Sequence, residues 1–209
     1  GEPVGTEMTL NSPTYARELV RAAAFRLLAT RAESIAPATL VEVTGIKPER
    51  LAVVLDQLDS AGRIRRDADG HVVGSAGLSV VPDRHQIELD GRRFWTWCAY
   101  DILGIFGALG ASGIALSASP LGGQPIEVDF VRGLPQRDDV VLFRPAADLE
   151  DGCENVYGEW CPNSNLFATH ELAEDWAKQH EIEGRVLGLD AASVLATEDW
   201  EKLAEGIVL

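Results

Sequence analysis

Residues 47–74 read KPERLAVVLDQLDSAGRIRRDADGHVVG, and this stretch decides how the front of the chain folds. Leu51, Val54, Leu55 and Leu58 fall on one helical stripe behind Lys47-Pro48, where a proline suits the first turn because its missing N–H has no intrahelical partner. Gly62 ends that helix. Arg63-Ile64-Arg65 and His71-Val72-Val73-Gly74 then flank the polar tip Asp67-Ala68-Asp69-Gly70, a hairpin signal. Upstream, Thr14 to Arg31 carries a helical apolar stripe, and Ala38 to Thr44 reads as a short helix closed by Gly45. Helix, helix–turn–helix and hairpin in this order form a winged-helix-like pattern. We therefore expect a winged-helix-like unit over 14–78, a disordered or non-native start over 1–13, and a second unit over 79–209.

Such a front usually invites a DNA-reading role, and the charges oppose it. The 209 residues hold 33 acidic against 18 basic side chains, a formal net charge of −15. Phosphate binding needs the opposite balance. The would-be reading helix exposes Glu49, Asp56, Gln57 and Asp59, with Arg50 its main cation. Base readout wants Arg, Lys, Asn and Gln on that face. Arg63, Arg65 and Arg66 are the remaining phosphate candidates, and a solvated edge is their plainer reading. No nucleic-acid partner is expected.

Beyond residue 79 the pattern changes. Val80 to Leu89 is strand material, and Asp90-Gly91 turns into Phe94-Trp95-Thr96-Trp97-Cys98-Ala99-Tyr100-Asp101. The run on to Leu109 is most easily helical. Strand-like segments recur at Ile114–Leu116, Ile126–Phe130 and Val140–Phe143. Thr169 precedes an acidic-fronted helix from His170 to His180, and a strand at Val186–Leu189 leads to a last helix around Ala192 to Glu205. There is no regular βαβ alternation, so the class is α+β, with short antiparallel sheets in the second unit. Trp176 and Trp200 read as core packing. The longest apolar run, Ile102 to Leu116, is broken by glycines and is shorter than the roughly 20 residues of a membrane span. With no basic and apolar leader at the front, neither a secretory signal nor a membrane partner is expected. A cytoplasmic setting follows, and the widely spaced, odd cysteine count agrees with it.

The three thiols carry the chemistry. On the helical reading Cys98 and Asp101 are i and i+3 on one face, about 5–6 Å apart at Cβ. Desolvation raises both pKa values, which favours holding and passing protons over standing as two anions. Taken alone, the pair reads first as a buried small thiol beside a capping or turn-forming aspartate. Cys153 and Cys161 stand eight apart, which is neither zinc-finger nor redox spacing. His71, His85, His170 and His180 are scattered. Serine elbows, P-loops and GxGxxG are absent. The glycine-rich run near Gly104 and Gly107 has no lysine to hold a phosphate.

Asp90-Gly91-Arg92-Arg93 leading to Trp97-Cys98-Ala99-Tyr100-Asp101, Cys161 ahead of Leu166-Phe167-Ala168-Thr169, and Ala173-Glu174-Asp175-Trp176-Ala177 with His180 together resemble the organomercurial (alkylmercury) lyase family of the MerB type. The resemblance covers nearly the whole chain. It implies a lyase that breaks carbon–mercury bonds by protonolysis, with Cys98, Asp101 and Cys161 catalytic and Cys98 and Cys161 holding mercury. It further implies a small organomercurial substrate and no separate cofactor. External thiol would release the Hg(II) product, and a mercuric reductase or small thiols would accept it. A cysteine common in the family is Ser119 here, one often beside the second catalytic cysteine is Pro162, and Cys153 has no counterpart. Two other readings stay open: a winged-helix regulator that senses soft metals through its thiols, and a related-fold protein that binds soft metals without cleaving anything.

Overall fold

The computed structural model describes residues 12–207 and 209. The expected disordered start therefore lies outside the described residues, except at Ser12 and Pro13. Helix α1 (Pro13–Arg31) opens on a proline and ends at Ala32 in the left-handed region. Helix α2 (Pro37–Thr44) closes on Gly45, and α3 (Pro48–Ser60) buries Leu51, Val54, Leu55 and Leu58 as the stripe requires. Strands β1 (Ile64–Arg66) and β2 (Val72–Ser75) form the hairpin. Each arginine of this region is tied into the protein. Arg63 pairs with Glu150, Arg66 with Asp56 and Asp59, and the Arg65 guanidinium lies 3.9 Å over the Tyr157 ring.

The hairpin does not stop at β2. Strand β3 (Leu78–Ser79) returns through the two-residue turn Ala76-Gly77, whose φ values are 48° and 83°. Both central residues at positive φ is the hairpin turn that matches strand twist. Strand β3 then pairs with β5 (Arg92–Thr96), which pairs with β4 (His85–Leu89). After helix α4 (Ala99–Leu109), strands β6 (Gly113–Ser117), β7 (Ile126–Val131) and β8 (Leu134–Pro135) complete one antiparallel sheet of order β1-β2-β3-β5-β4-β6-β7-β8. The strand expected over Val80–Leu89 is confined to its second half. Ser79 and Val81 close on each other through the Ser79 hydroxyl, and Pro82 has no N–H to give a ladder.

Strand β9 (Val141–Pro145) is followed by the short helix α5 (Ala147–Gly152), a π-turn at Val156–Trp160 and a 3₁₀ turn at Cys161–Asn163. Strand β10 (Asn165–Phe167) joins β9, and β11 (Gly184–Gly188) joins its other edge, giving a second sheet of three strands. Between them α6 (His170–Gln179) starts on Thr169, whose hydroxyl accepts the Leu172 N–H at 3.2 Å. Trp176 fills a small core with Phe143 and Phe167, as expected. Helix α7 (Leu189–Ala204) lies along α4. The glycines of α4 admit this approach: a Cβ on Gly104 would overlap the Trp200 ring, and one on Gly107 the Thr197 hydroxyl. The architecture is α+β with antiparallel sheets. No helix among the described residues is long and apolar enough to cross a membrane.

Candidate active site

Strand β5 ends at Thr96, whose hydroxyl donates to the Cys98 carbonyl at 3.0 Å, while the Trp97 N–H donates to the Gly77 carbonyl at 3.1 Å. These bonds hold Cys98 extended, at φ −145° and ψ 171°. The expectation that Cys98 and Asp101 share a helix face is therefore corrected: Cys98 is the N-cap of α4 and Asp101 its third helical residue. The Asp101 carboxylate accepts the Cys98 N–H at 2.9 Å, and the Cys98 side chain faces the Asp101 backbone N–H in a reciprocal capping box. The capping role and the thiol–carboxyl pairing, which the residues alone left as alternatives, coexist in one geometry.

The second thiol arrives by tertiary contacts. Asn155 caps the π-turn by accepting the Gly158 N–H at 2.7 Å, and its amide donates to the Ser60 carbonyl at 3.0 Å at the end of α3. The Val156 N–H donates to the Ala61 carbonyl, and the Tyr157 ring is held between the guanidiniums of Arg65 and Arg84, at 3.9 and 4.3 Å. Three residues after Cys161, the buried Ser164 docks on the open end of α4. Its carbonyl accepts the Ala99 N–H and its hydroxyl accepts the Tyr100 N–H, each at 3.1 Å. A helix start leaves such donors unpaired within the helix, so this docking satisfies both segments at once. In consequence one sulfur each from Cys98 and Cys161 and one oxygen of Asp101 all lie within 4.8 Å of one another. Among the described residues this is the one cluster of three such side chains, and no histidine belongs to it.

Burial governs the protons here. Cys98 is 0% exposed, Cys161 3% and Asp101 5%. Burial pushes the Asp101 carboxyl up to about 7, against the opposing effect of hydrogen bonds from Cys98. Burial likewise pushes the Cys98 thiol well above its ordinary value, with the hydrogen bond to Cys161 and the Asp101 charge acting in the same direction. Cys153 stands apart. It is half-buried, its thiol donates to the Glu150 carbonyl at 3.1 Å, and it is outside the cluster.

Asp101 and Cys161 open on a cavity of about 310 Å³, whereas Cys98 sits behind them. Trp97, Tyr100, Trp160 and Trp200 supply aromatic wall. Trp200, expected only to pack in the core, donates its indole N–H to the Ala76 carbonyl at 2.9 Å and reaches the cavity from α7. Tyr100 donates its phenol to Asp199 at 2.7 Å, again joining α4 to α7. Three contributors escaped the sequence reading. Gly77 backs the carboxyl so closely that a Cβ there would overlap it; two adjacent residues able to make a tight turn, Ala76-Gly77, were the available signal. Ser164 left no local signal, and neither did Arg144, which reaches the cavity from β9 with its guanidinium 4.8 Å from the Tyr100 ring centroid, because their partners lie on distant elements.

The family model for alkylmercury lyase matches residues 78–200. Similar proteins include the alkylmercury lyase of Bacillus cereus, 31% identical over 166 residues that span 77% of this chain and 71% of that one. The alkylmercury lyase of Staphylococcus epidermidis is 34% identical over 161 residues, 75% of this chain and 66% of its own. The mercury-bound form of MerB2 shares the fold at a TM-score of 0.76 and 24% identity, covering 92% of this chain and 98% of that one. With the matched span enclosing Cys98, Asp101 and Cys161, the chain belongs to the alkylmercury lyase family.

Proposed function

We propose that this alkylmercury lyase cleaves R–Hg–X by protonolysis at Cys98, Asp101 and Cys161, and that the two cysteines keep the Hg(II) it forms. The observation that carries the reading is the convergence of two thiols and one carboxyl within 4.8 Å. Mercury(II) is soft, and thiolate is the side-chain ligand that suits it. Cys161 borders the cavity and meets mercury first; Cys98, buried behind it, is the second ligand. Asp101, poised near neutrality, takes a thiol proton as the second Hg–S bond forms. It then delivers that proton to the carbon, which leaves with the electron pair of the Hg–C bond. The balance is R–Hg–X plus two thiols giving RH, HX and a mercury dithiolate, with mercury at +2 throughout.

The cavity suits the organic group. Its 310 Å³ is about twice the 150 Å³ of a site that takes up benzene, and Trp97, Tyr100, Trp160 and Trp200 give an aryl or alkyl group faces to pack on, beside the polar side chains of Arg63, Arg144, Glu150 and Asp199. Mercury is substrate and product, so the reaction calls on no resident cofactor. An external thiol pair, from small thiols or a mercuric reductase, removes Hg(II) by exchange, which fits a reducing cytoplasmic setting. Against the regulator reading stand Arg63, Arg65 and Arg66, each engaged with a carboxylate or ring of the protein. Against a binder that cleaves nothing stands Asp101, a buried carboxyl with no role in simply holding a soft ion. The test is benzene release from phenylmercury in excess thiol. Mercury capture without benzene would leave only the binding role.

A further inference from the structure

Ser164 ties the two thiol segments together on their C-terminal sides, through Ala99 and Tyr100. On their N-terminal sides the same task falls to Arg84, the residue just ahead of β4. Its guanidinium donates to the Trp97 carbonyl and to the Tyr157 carbonyl, each at 3.0 Å. Trp97 immediately precedes Cys98, and Tyr157 lies in the π-turn that delivers Cys161. That turn is closed by the Cys161 N–H on the Val156 carbonyl, one residue before Tyr157. One planar cation therefore spans the approaches to both thiols.

Tyr157 is gripped from several directions. The Arg84 guanidinium lies 4.3 Å from its ring centroid, and the Asp83 carboxylate accepts its phenol at 3.2 Å and the Arg84 N–H at 2.8 Å. The Trp97 ring meets the Tyr157 ring edge-on, with centroids 5.5 Å apart. A guanidinium suits this place because its donors form a rigid planar fork that also stacks on a ring, whereas an ammonium is a compact point charge. Arg84 lines a separate surface hollow of about 400 Å³ with Asp83, Gln86 and Trp95, and does not line the cavity of the thiols. Its effect on the reaction therefore passes through Trp97 and Tyr157.

We propose that Arg84 is a positioning residue for carbon–mercury cleavage: by bridging the Trp97 and Tyr157 carbonyls it sets the separation of the Cys98 and Cys161 sulfurs. The proposal rests on the lyase reading and adds to it the group that holds the two mercury ligands in register. Capture by Cys161 makes one Hg–S bond and does not depend on that separation. Cleavage does, because Asp101 receives the Cys98 proton only when Cys98 reaches the same mercury.

The test loads the protein with stoichiometric phenylmercury in the absence of external thiol and follows two rates, loss of free phenylmercury and first-order release of benzene. Arg84→Ala should capture phenylmercury at the wild-type rate and release benzene roughly ten- to a hundredfold more slowly, the cost of a small misplacement of reacting groups. Arg84→Lys, which keeps the charge and loses the fork, should be slowed nearly as much. Guanidinium ion at sub-denaturing concentration, admitted through the surface hollow, should restore part of the Arg84→Ala rate, and ammonium should not. A role in folding alone would produce neither the split between capture and cleavage nor the rescue. Wild-type benzene release in Arg84→Ala or Arg84→Lys would overturn the proposal, as would a fall in capture equal to the fall in cleavage with no response to guanidinium. Should Arg84→Ala fail to fold, Arg84→Lys read by the same two rates decides the question. Capture without benzene in the wild type would be a failure of the lyase reading instead. The spacing claim would then be read from Hg(II) retention against a soluble dithiol, which Arg84→Lys should weaken.

Discussion

The Ser164 hydroxyl accepts the Tyr100 backbone N–H at 3.1 Å, and this bond fastens the loop that carries Cys161 to the helix that Cys98 caps. The Ser164 carbonyl adds a second tie to Ala99. The helix start and the Cys161 loop thus satisfy each other's backbone, and the spacing of the two sulfurs follows from that pairing rather than from direct contact alone.

Ser164→Ala should therefore act on both stability and mercury retention. Losing a side-chain acceptor at a helix start costs about 1 kcal/mol. Urea unfolding of the apo protein reads that loss, and competition with a soluble dithiol reads the weaker hold on Hg(II). Unchanged retention would mean that the Ala99 bond alone sets the geometry.

Gly77→Ala should damage turnover more than mercury capture. Its φ of 83° disfavours any side chain, and a Cβ would collide with the Asp101 carboxyl. Small misplacements of a reacting group cost up to about a hundredfold, so a drop in kcat of at least roughly tenfold is expected. Phenylmercury capture by the two thiols should persist. A kcat equal to the wild type would show that the carboxyl has room to spare.

The raised Asp101 carboxyl makes stability depend on pH in a defined sense. Its folded value of about 7 lies above the ordinary 3.8, so ionisation opposes folding. The penalty is absent below the ordinary value, grows between about 4 and 7, and is complete above. At most it amounts to about 4 kcal/mol. Asp101→Asn keeps an acceptor for the Cys98 N–H and removes the charge. The variant should gain stability over the wild type at pH 8 and little at pH 4, as unfolding at the two pH values would show. A gap independent of pH would contradict the assignment. For catalysis the reactive form has the carboxylate free to take a thiol proton, so wild-type kcat/KM should fall as pH drops below about 7.

Cys153→Ser should be close to neutral in benzene release, because that thiol donates to the Glu150 carbonyl and stands outside the cluster. A dead variant would mean that the wrong downstream thiol has been placed in the reaction.

What could be read in the sequence tracks how local each feature is. Leu51, Val54, Leu55 and Leu58 announced α3, and Asp69-Gly70 its following hairpin, because stripes and turns are written in neighbouring residues. Cys98 and Asp101 stood out for the same reason. Their helix-face geometry was misjudged because Thr96 and Trp97 hold Cys98 extended through the Cys98 and Gly77 carbonyls, bonds that only the folded sheet supplies. Only family resemblance joined Cys161 to Cys98. The physical link runs through Ser164 and through Asn155 on the end of α3, with no periodicity to reveal it. Trp200 looked like plain core for a similar reason: Gly104 and Ala76, which receive it, lie on other elements.

A single-turnover experiment with phenylmercury tests the three-residue mechanism most directly. Stoichiometric protein without added thiol should release one benzene per chain and keep Hg(II) until a dithiol is supplied. Cys98→Ser should capture phenylmercury through Cys161 and release no benzene, and Cys161→Ser should do neither at a comparable rate. Benzene formed at the wild-type rate by either variant would contradict the assignment of Cys98, Asp101 and Cys161 as the reacting set.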